Sequence, residues 1–291
     1  MILVTGVSGA LGSSIFDGLR AVEGLEVVGA SSSGDGTTSR LADFDRPETL
    51  EAAFAGVDVL VFVSAGYAED DVVLARHGAV VRAATAAGVR HVIYTSVAGS
   101  GERLTFALAH RWTEARLAEA PFDATVLRNG LYAELAAGLA LGGAAAAAEG
   151  GVFALPLGDG RVSVVARDDL AAVAVRVAAE AAQDLSGGGT RRHAGKTYEL
   201  EGVSAVGGHD LAEVLAEVLG RPVEYRTLPL AEVRPALAPI APFQAWHTVS
   251  TFSNINAGLL EARGGDLPAF LHSPRPVRDV IVAAVKSGLQ G

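Results

Sequence analysis

Residues 5–12, Thr5-Gly6-Val7-Ser8-Gly9-Ala10-Leu11-Gly12, stand directly after the apolar run Met1-Ile2-Leu3-Val4 and directly before Ile15, Leu19 and Val22. Those last three positions fall on one face of a helix. A strand, a glycine turn and a helix start in that order leave few folds open. The arrangement aims backbone N–H groups and the positive end of a helix dipole at one spot, which suits a dinucleotide pyrophosphate. Gly6 supplies a turn at positive φ, Gly9 lets the diphosphate approach, and Gly12 lets helix and strand pack closely. In a chain with 35 glycines the spacing G-x-x-G-x-x-G carries little by itself. Its place between strand and helix gives it weight. NAD(P) binding is therefore expected, with Gly6, Ser8, Gly9, Ala10, Leu11 and Gly12 around the pyrophosphate.

Composition narrows the remaining classes. The 291 residues carry a formal charge of −10, with no cluster of Lys and Arg, which argues against a nucleic-acid partner. Half the residues are hydrophobic, but no uninterrupted run is long enough to span a bilayer. The first strand begins at Met1, so no signal peptide and a cytoplasmic location are expected. Cysteine is absent, which removes disulfides, thiolate nucleophiles and iron-sulfur ligation together. His77, His91, His110, His193, His209, His247 and His272 show no metal-ligand spacing, so no metal site is expected.

Apolar runs near 2–5, 25–30, 57–64, 89–95 and 124–128 alternate with helical patterns near 10–22, 47–55, 70–87 and 105–120. Five strands in βα alternation predict an α/β fold: a doubly wound parallel-sheet Rossmann fold, with a small C-terminal α/β substrate-binding subdomain. Residues 1–150 are expected to form the NAD(P)-binding part, and 151–291 the remaining sheet elements and the smaller subdomain, interleaved in one compact unit. The alanine- and glycine-rich stretch 133–151 reads as a poorly packed surface helix plus loop, in preference to a mobile lid. Asp168-Asp169 opens a helix near 170–182, where carboxylates oppose the dipole favourably. Ser186-Gly187-Gly188-Gly189-Thr190 reads as a loop before a strand at 196–200. A helix near 208–219 and a strand near 222–228 follow, then Pro235, Pro239 and Pro242 leading to Phe243, Trp246 and His247.

Further motifs line up with a family. They are Ala42-Asp43-Phe44-Asp45, Ala55-Gly56-Val57-Asp58, Ala87-Gly88-Val89-Arg90-His91 leading to Tyr94-Thr95-Ser96, His110-Arg111-x-Thr113-Glu114, and Thr125-Val126-Leu127-Arg128-Asn129-Gly130-x-Tyr132. With the glycine loop, this series resembles the atypical short-chain dehydrogenase/reductases of the NmrA-like group, which includes quinone oxidoreductase 2-like and triphenylmethane reductase-like proteins. The resemblance covers nearly the whole chain. Standard short-chain dehydrogenases use Tyr-x-x-x-Lys to protonate the substrate and to hold the nicotinamide ribose. By the resemblance, the lysine position falls here on His110 and the tyrosine position on Phe106. A phenyl ring cannot donate a proton. Reducing a carbonyl to an alcohol needs a proton at oxygen as hydride arrives, whereas a quinone accepts hydride readily because its product anion is stabilised by resonance.

The resemblance implies further site residues. His110 either holds the nicotinamide ribose in place of lysine or caps a neighbouring carbonyl. Ser64, Thr95 and Ser96 end strands, where ligands of open α/β sheets bind, or else serve strand-end turns. Asp43 and Phe44 resemble the pair that brackets adenine, or start the next helix. Ser31-Ser32-Ser33 stands where an acidic residue would bind a ribose diol and a basic one a 2′-phosphate; with no carboxylate there and Arg40 nearby, NADPH (NADP) is expected over NADH. Phe106, Asn129 and Tyr132 are expected at the substrate, with Phe243, Trp246 and His247 forming either an aromatic wall or subdomain core. The implied function is hydride transfer from NAD(P)H to a small planar quinone-like acceptor, by a monomer or homodimer without nucleic-acid or membrane partners. The alternatives are a non-catalytic dinucleotide redox sensor acting through a protein partner, and a biosynthetic tailoring reductase of a ketone or quinone.

Overall fold

The computed structural model describes residues 1–37, 39–64, 67–99 and 103–290. Its first elements are β1 (Ile2–Thr5), α1 (Ala10–Arg20), β2 (Val27–Ser31), β3 (Ser39–Leu41), α2 (Glu48–Phe54), β4 (Val59–Phe62), α3 (Asp70–Ala86), β5 (His91–Val97), α4 (Leu108–Ala118) and β6 (Asp123–Asn129). They are followed by β7 (Leu131–Tyr132), α5 (Ala133–Gly150), β8 (Val152–Leu155), β9 (Arg161–Val165), α6 (Arg167–Gly187), β10 (Lys196–Leu200), β11 (Ala205–Gly207), α7 (Gly208–Leu219) and β12 (Glu224–Thr227). The chain ends with α8 (Leu230–Val233), a 3-10 turn, α9 (Pro242–Asn256), α10 (Leu267–Phe270) and α11 (Val277–Gly288).

Seven strands form the main sheet in the order β10-β6-β5-β4-β1-β2-β3. The pairs β1–β2, β1–β4, β2–β3 and β4–β5 are parallel. The strand order reverses beside β1, which makes the carboxyl end of β1 the switch point where such sheets bind ligands. β1 and β4 are buried at every position, the signature of strands covered on both faces. Leu3, Leu50, Phe54, Leu60, Phe62, Val80, Val92, Tyr94 and Leu117 belong to one core cluster. Each large side chain in it contributes about 1.5–3 kcal/mol by leaving water.

The chain divides into two compact units, each made of three stretches. The first comprises Met1–Val97, Leu108–Arg128 and Asp168–Tyr198; the second comprises Ala98–Ala107, Asn129–Arg167 and Glu199–Gly291. The second unit contains a three-stranded sheet, β11-β9-β7, and a parallel pair, β12 with β8. No helix among the described residues is long and apolar enough to cross a membrane.

The stretch 133–151 corrects an expectation. It is one continuous 18-residue helix, α5, with Ala133, Ala136, Ala137, Ala140, Ala144 and Ala147 buried, and it packs on α11, α7 and β8. Methyl side chains present almost no apolar pattern, yet they let neighbouring backbones approach closely and keep high helix propensity. Helix α6 likewise runs on to Gly187, beyond the expected end near 182 and into the first two residues of the expected loop.

Candidate functional site

The glycine loop ends β1 and starts α1. Gly6 has φ +67°, and Gly9 donates its N–H to the Gly6 carbonyl at 2.9 Å, closing the turn. A Cβ at Gly12 would fall on the carbonyl oxygen of Gly6, so only glycine lets the helix start this close to the strand. Gly9, extended, precedes helix α1 and supplies no side-chain cap, and no acidic residue stands in the first turn. Its first N–H groups and dipole are thus left to an anion from outside the helix. Ala10 opens the helix, with Leu11 and Gly12 buried behind it.

In front of this loop lies a cavity of about 390 Å³. It is lined by Gly6, Ser8 and Gly9 of the loop, Ser31 at the end of β2 with Ser32 after it, Ala42 to Asp45 after β3, Val63 and Ser64 after β4, and Arg76 of α3. Every strand that contributes does so from its carboxyl end, as the fold requires. The hydroxyl of Thr5 accepts from the N–H of Val63 at 3.0 Å, and the hydroxyl of Thr95 accepts from the N–H of Ser64 at 2.9 Å. These two bonds pin the chain after β4 to its neighbours on either side. The uncapped helix start, the glycine cradle and the size of the cavity fit the phosphates and adenosine of a dinucleotide.

The structure separates the other expected residues. Asp43, Phe44, Ser31, Ser32 and Ser64 meet at the cavity. The carboxylate of Asp43 accepts from the N–H of Asp45 at 3.0 Å and from Arg46 at 2.9 Å, and the Arg46 bond holds its carboxyl below the usual range. Ser33 is exposed, with its hydroxyl 3.4 Å from that of Ser31. Arg40 donates to the carbonyls of Ala53 and Ala55 at 2.7 and 2.9 Å and is not among the described lining residues. Asp45 and Arg76 are lining residues that sequence reasoning did not single out. They form a bidentate pair with both bonds at 2.7 Å. Asp45 had a signal, as the last residue of the Ala42-Asp43-Phe44-Asp45 motif; Arg76, 31 positions on, had none.

Thr95 and Ser96 are both buried in β5. The hydroxyl of Ser96 donates to Glu114 of α4 at 2.5 Å, and Arg111 and Arg128 donate to the same carboxylate at 2.5 and 2.6 Å. Burial works to raise Glu114, but the bonds from Arg128 and Ser96 and the Arg111 charge hold it below the usual carboxylate range. The cluster ties the end of β5 to α4. His110 sits one turn before Glu114, its Nδ1 2.8 Å from the hydroxyl of Tyr94.

In the second unit, the ring of Phe106 packs against His247 of α9 in a tilted arrangement, with centroids 5.3 Å apart. The preceding residue, Thr105, is hydrogen-bonded to Ser250 and accepts from Asn254 at 2.9 Å. Residues 247, 250 and 254 share one face of α9, so that face seats the segment carrying Phe106. Asn129 is buried, and its side-chain oxygen has no hydrogen-bond partner among the described residues, an orphan acceptor of the kind a ligand satisfies. Burial pushes the phenol of Tyr132 up. Phe243 is half-buried, while Trp246 is 63% exposed with the Arg234 guanidinium over its ring at 5.3 Å.

The switch-point cavity, glycine loop and uncapped helix define a nucleotide-binding protein of the Rossmann class. A family model described as NAD(P)H-binding matches residues 6–181. The chain is 35% identical over 247 residues to quinone oxidoreductase 2 of Escherichia coli, covering 81% of each chain. It is 30% identical over 247 residues to an NAD(P)H azoreductase of Xenophilus azovorans, covering 81% of this chain and 80% of that protein. The structure of Citrobacter sp. triphenylmethane reductase complexed with NADP(H) superposes with a TM-score of 0.83 at 28% identity, over 99% of both chains. This chain belongs to the NAD(P)H-binding, NmrA-like family.

Proposed function

We propose that this protein is an NADPH-dependent reductase that passes hydride directly to a quinone or a similar planar aromatic acceptor. The observation that carries the reading is Phe106, which by the resemblance stands where related dehydrogenases keep an acid tyrosine and whose ring packs, tilted, against His247. When bound, the dinucleotide supplies the hydride. The protein's part is then positioning more than acid catalysis, and such positioning alone is worth several kcal/mol of a barrier. Quinones tolerate the missing acid because the charge that arrives with hydride is delocalised over the ring. Two relatives, named as a quinone oxidoreductase and an azoreductase, support an acceptor of this kind.

In this reading the residues from Gly6 to Gly12 hold the pyrophosphate, Asp43 and Phe44 flank adenine, and the hydroxyls of Ser31 and Ser32, with the exposed Ser33 beside them, receive a 2′-phosphate with no carboxylate among the three serines. Ser64, Thr95, Ser96 and His110 serve the nicotinamide ribose end. Phe106, Asn129, Tyr132, Phe243, Trp246 and His247 are assigned to the acceptor. The test is the loss of NADPH and NADH absorbance on adding purified protein to a panel of simple quinones, beside a binding titration of each cofactor. Turnover, faster with NADPH, is the expected result. Tight binding with no turnover of any acceptor would overturn the reading and leave a dinucleotide sensor in its place.

A further inference from the structure

Four polar side chains of the first unit meet among buried rings: His77 of α3, Tyr94 of β5, and His110 and Thr113 of α4. Their bonds, taken together, favour one placement of the protons. The Thr113 hydroxyl donates to the Ala109 carbonyl one helical turn back, at 2.7 Å. Only its lone pairs therefore face Nδ1 of His77, which lies 2.7 Å away. His77 must carry its ring proton on Nδ1 and donate to Thr113. The oxygen of Tyr94 lies 3.4 Å from that same N–H, so Tyr94 cannot donate in that direction. Its proton goes to Nδ1 of His110, at 2.8 Å.

We propose that Tyr94, backed by the His77–Thr113 pair, is a positioning residue that fixes His110 as the neutral imidazole with its proton on Nε2, the form that donates a hydrogen bond to a ribose hydroxyl of the cofactor. The inference rests on the reading of His110 as the ribose partner. A lysine at this position would donate whatever its surroundings, because all its ammonium hydrogens are donors. An imidazole has two tautomers and one cation, and a neighbour must choose among them. A protonated His110 would turn an N–H onto the Tyr94 oxygen and displace the hydrogen bond that Tyr94 donates to it.

Burial supports the same protonation states. It pushes the phenol of Tyr94 far above its ordinary range, so Tyr94 keeps its proton. Burial, with smaller effects from His110 and Arg76, lowers His77 to about 3, so His77 stays neutral. The ring of Tyr94 packs against Phe62 with centroids 5.0 Å apart, so Tyr94→Phe removes the hydroxyl and keeps the packing.

The test is a long-range proton–nitrogen NMR spectrum of the imidazoles at neutral pH, recorded for the full chain and for Tyr94→Phe, with the His110 signals assigned by their loss in His110→Ala. The expected wild-type pattern is a single tautomer protonated on Nε2, replaced in Tyr94→Phe by a mixture. Titrated with NADPH, Tyr94→Phe should bind about two- to tenfold more weakly, as for the loss of one oriented hydrogen bond. A wild-type His110 that is protonated on Nδ1 or is a cation, or a pattern unchanged in Tyr94→Phe, would overturn the assignment. The wild-type spectrum decides alone if the variant does not fold. Unchanged NADPH affinity in His110→Ala removes the ribose role whatever the spectra show, whereas lowered affinity there with a mixed wild-type spectrum removes Tyr94 alone.

Discussion

At the scale of single residues, the most constrained atoms surround Gly12, where a methyl group has no space against the Gly6 carbonyl. Gly12→Ala should cost about 1–3 kcal/mol, the range for overpacking against a fixed backbone, and weaken NADPH binding as the loop shifts. Thermal unfolding and a fluorescence titration would check both. Two histidines set the response to acid. Burial holds His77 down to about 3 and His91 to about 4 in the folded chain. The unfolded chain takes up these protons near pH 6.5 and the folded one does not, so the stability is fully present above that pH and is lost as the pH falls. Each histidine should remove about 1.4 kcal/mol per pH unit until its folded value is reached. Urea unfolding between pH 7.5 and 5 should show this fall, and His91→Gln should lessen it. The glycine turn was legible in the chain because a turn between strand and helix restricts residue choice within a few positions, whereas Asp43-Phe44 was reached through the family resemblance. Arg76 was not: an arginine on a helix reads as solvated surface until a distant aspartate, Asp45, is folded against it.

Among the elements, α5 shows what a featureless composition conceals. Its buried face is made of alanines, and its glycines differ in kind. A Cβ at Gly143 would lie 2.5 Å from the ring of Phe153, whereas one at Gly138 would meet open space. Gly143→Ala should therefore destabilise the protein by about 1–3 kcal/mol, and Gly138→Ala should stabilise it by about 0.5–1 kcal/mol. Chemical denaturation of the two variants gives the opposite signs directly. The βα alternation up to β6 was readable because those strands are apolar runs bounded by turn residues. Short strands such as β3, β7 and β11, of three, two and three residues, are too brief to display a period of two. They exist because neighbouring strands offer them partners, which is tertiary information.

At the scale of the whole molecule, ligand binding should divide the chain unevenly. A cofactor held by the glycine loop, the ends of β2 to β4 and α3, with His110 at its ribose as proposed, would touch only residues of the first unit. NADPH at a hundred times its Kd should add about 2.7 kcal/mol to the stability of the state it binds. Hydrogen exchange followed by mass spectrometry should show protection gained over 6–12, 31–33, 42–45, 63–64 and around Arg76 and His110. Equal protection over α7 and α11 would contradict this placement.

The three-stretch make-up of each unit carries a separate consequence. The chain passes from one unit to the other five times, after Val97, Ala107, Arg128, Arg167 and Tyr198. No single cut yields one complete unit, so neither half can be borrowed, lost or swapped as a contiguous piece of gene. Descendants of this protein must vary it in place, by substitution and by changes in loop length, and the two units are inherited together.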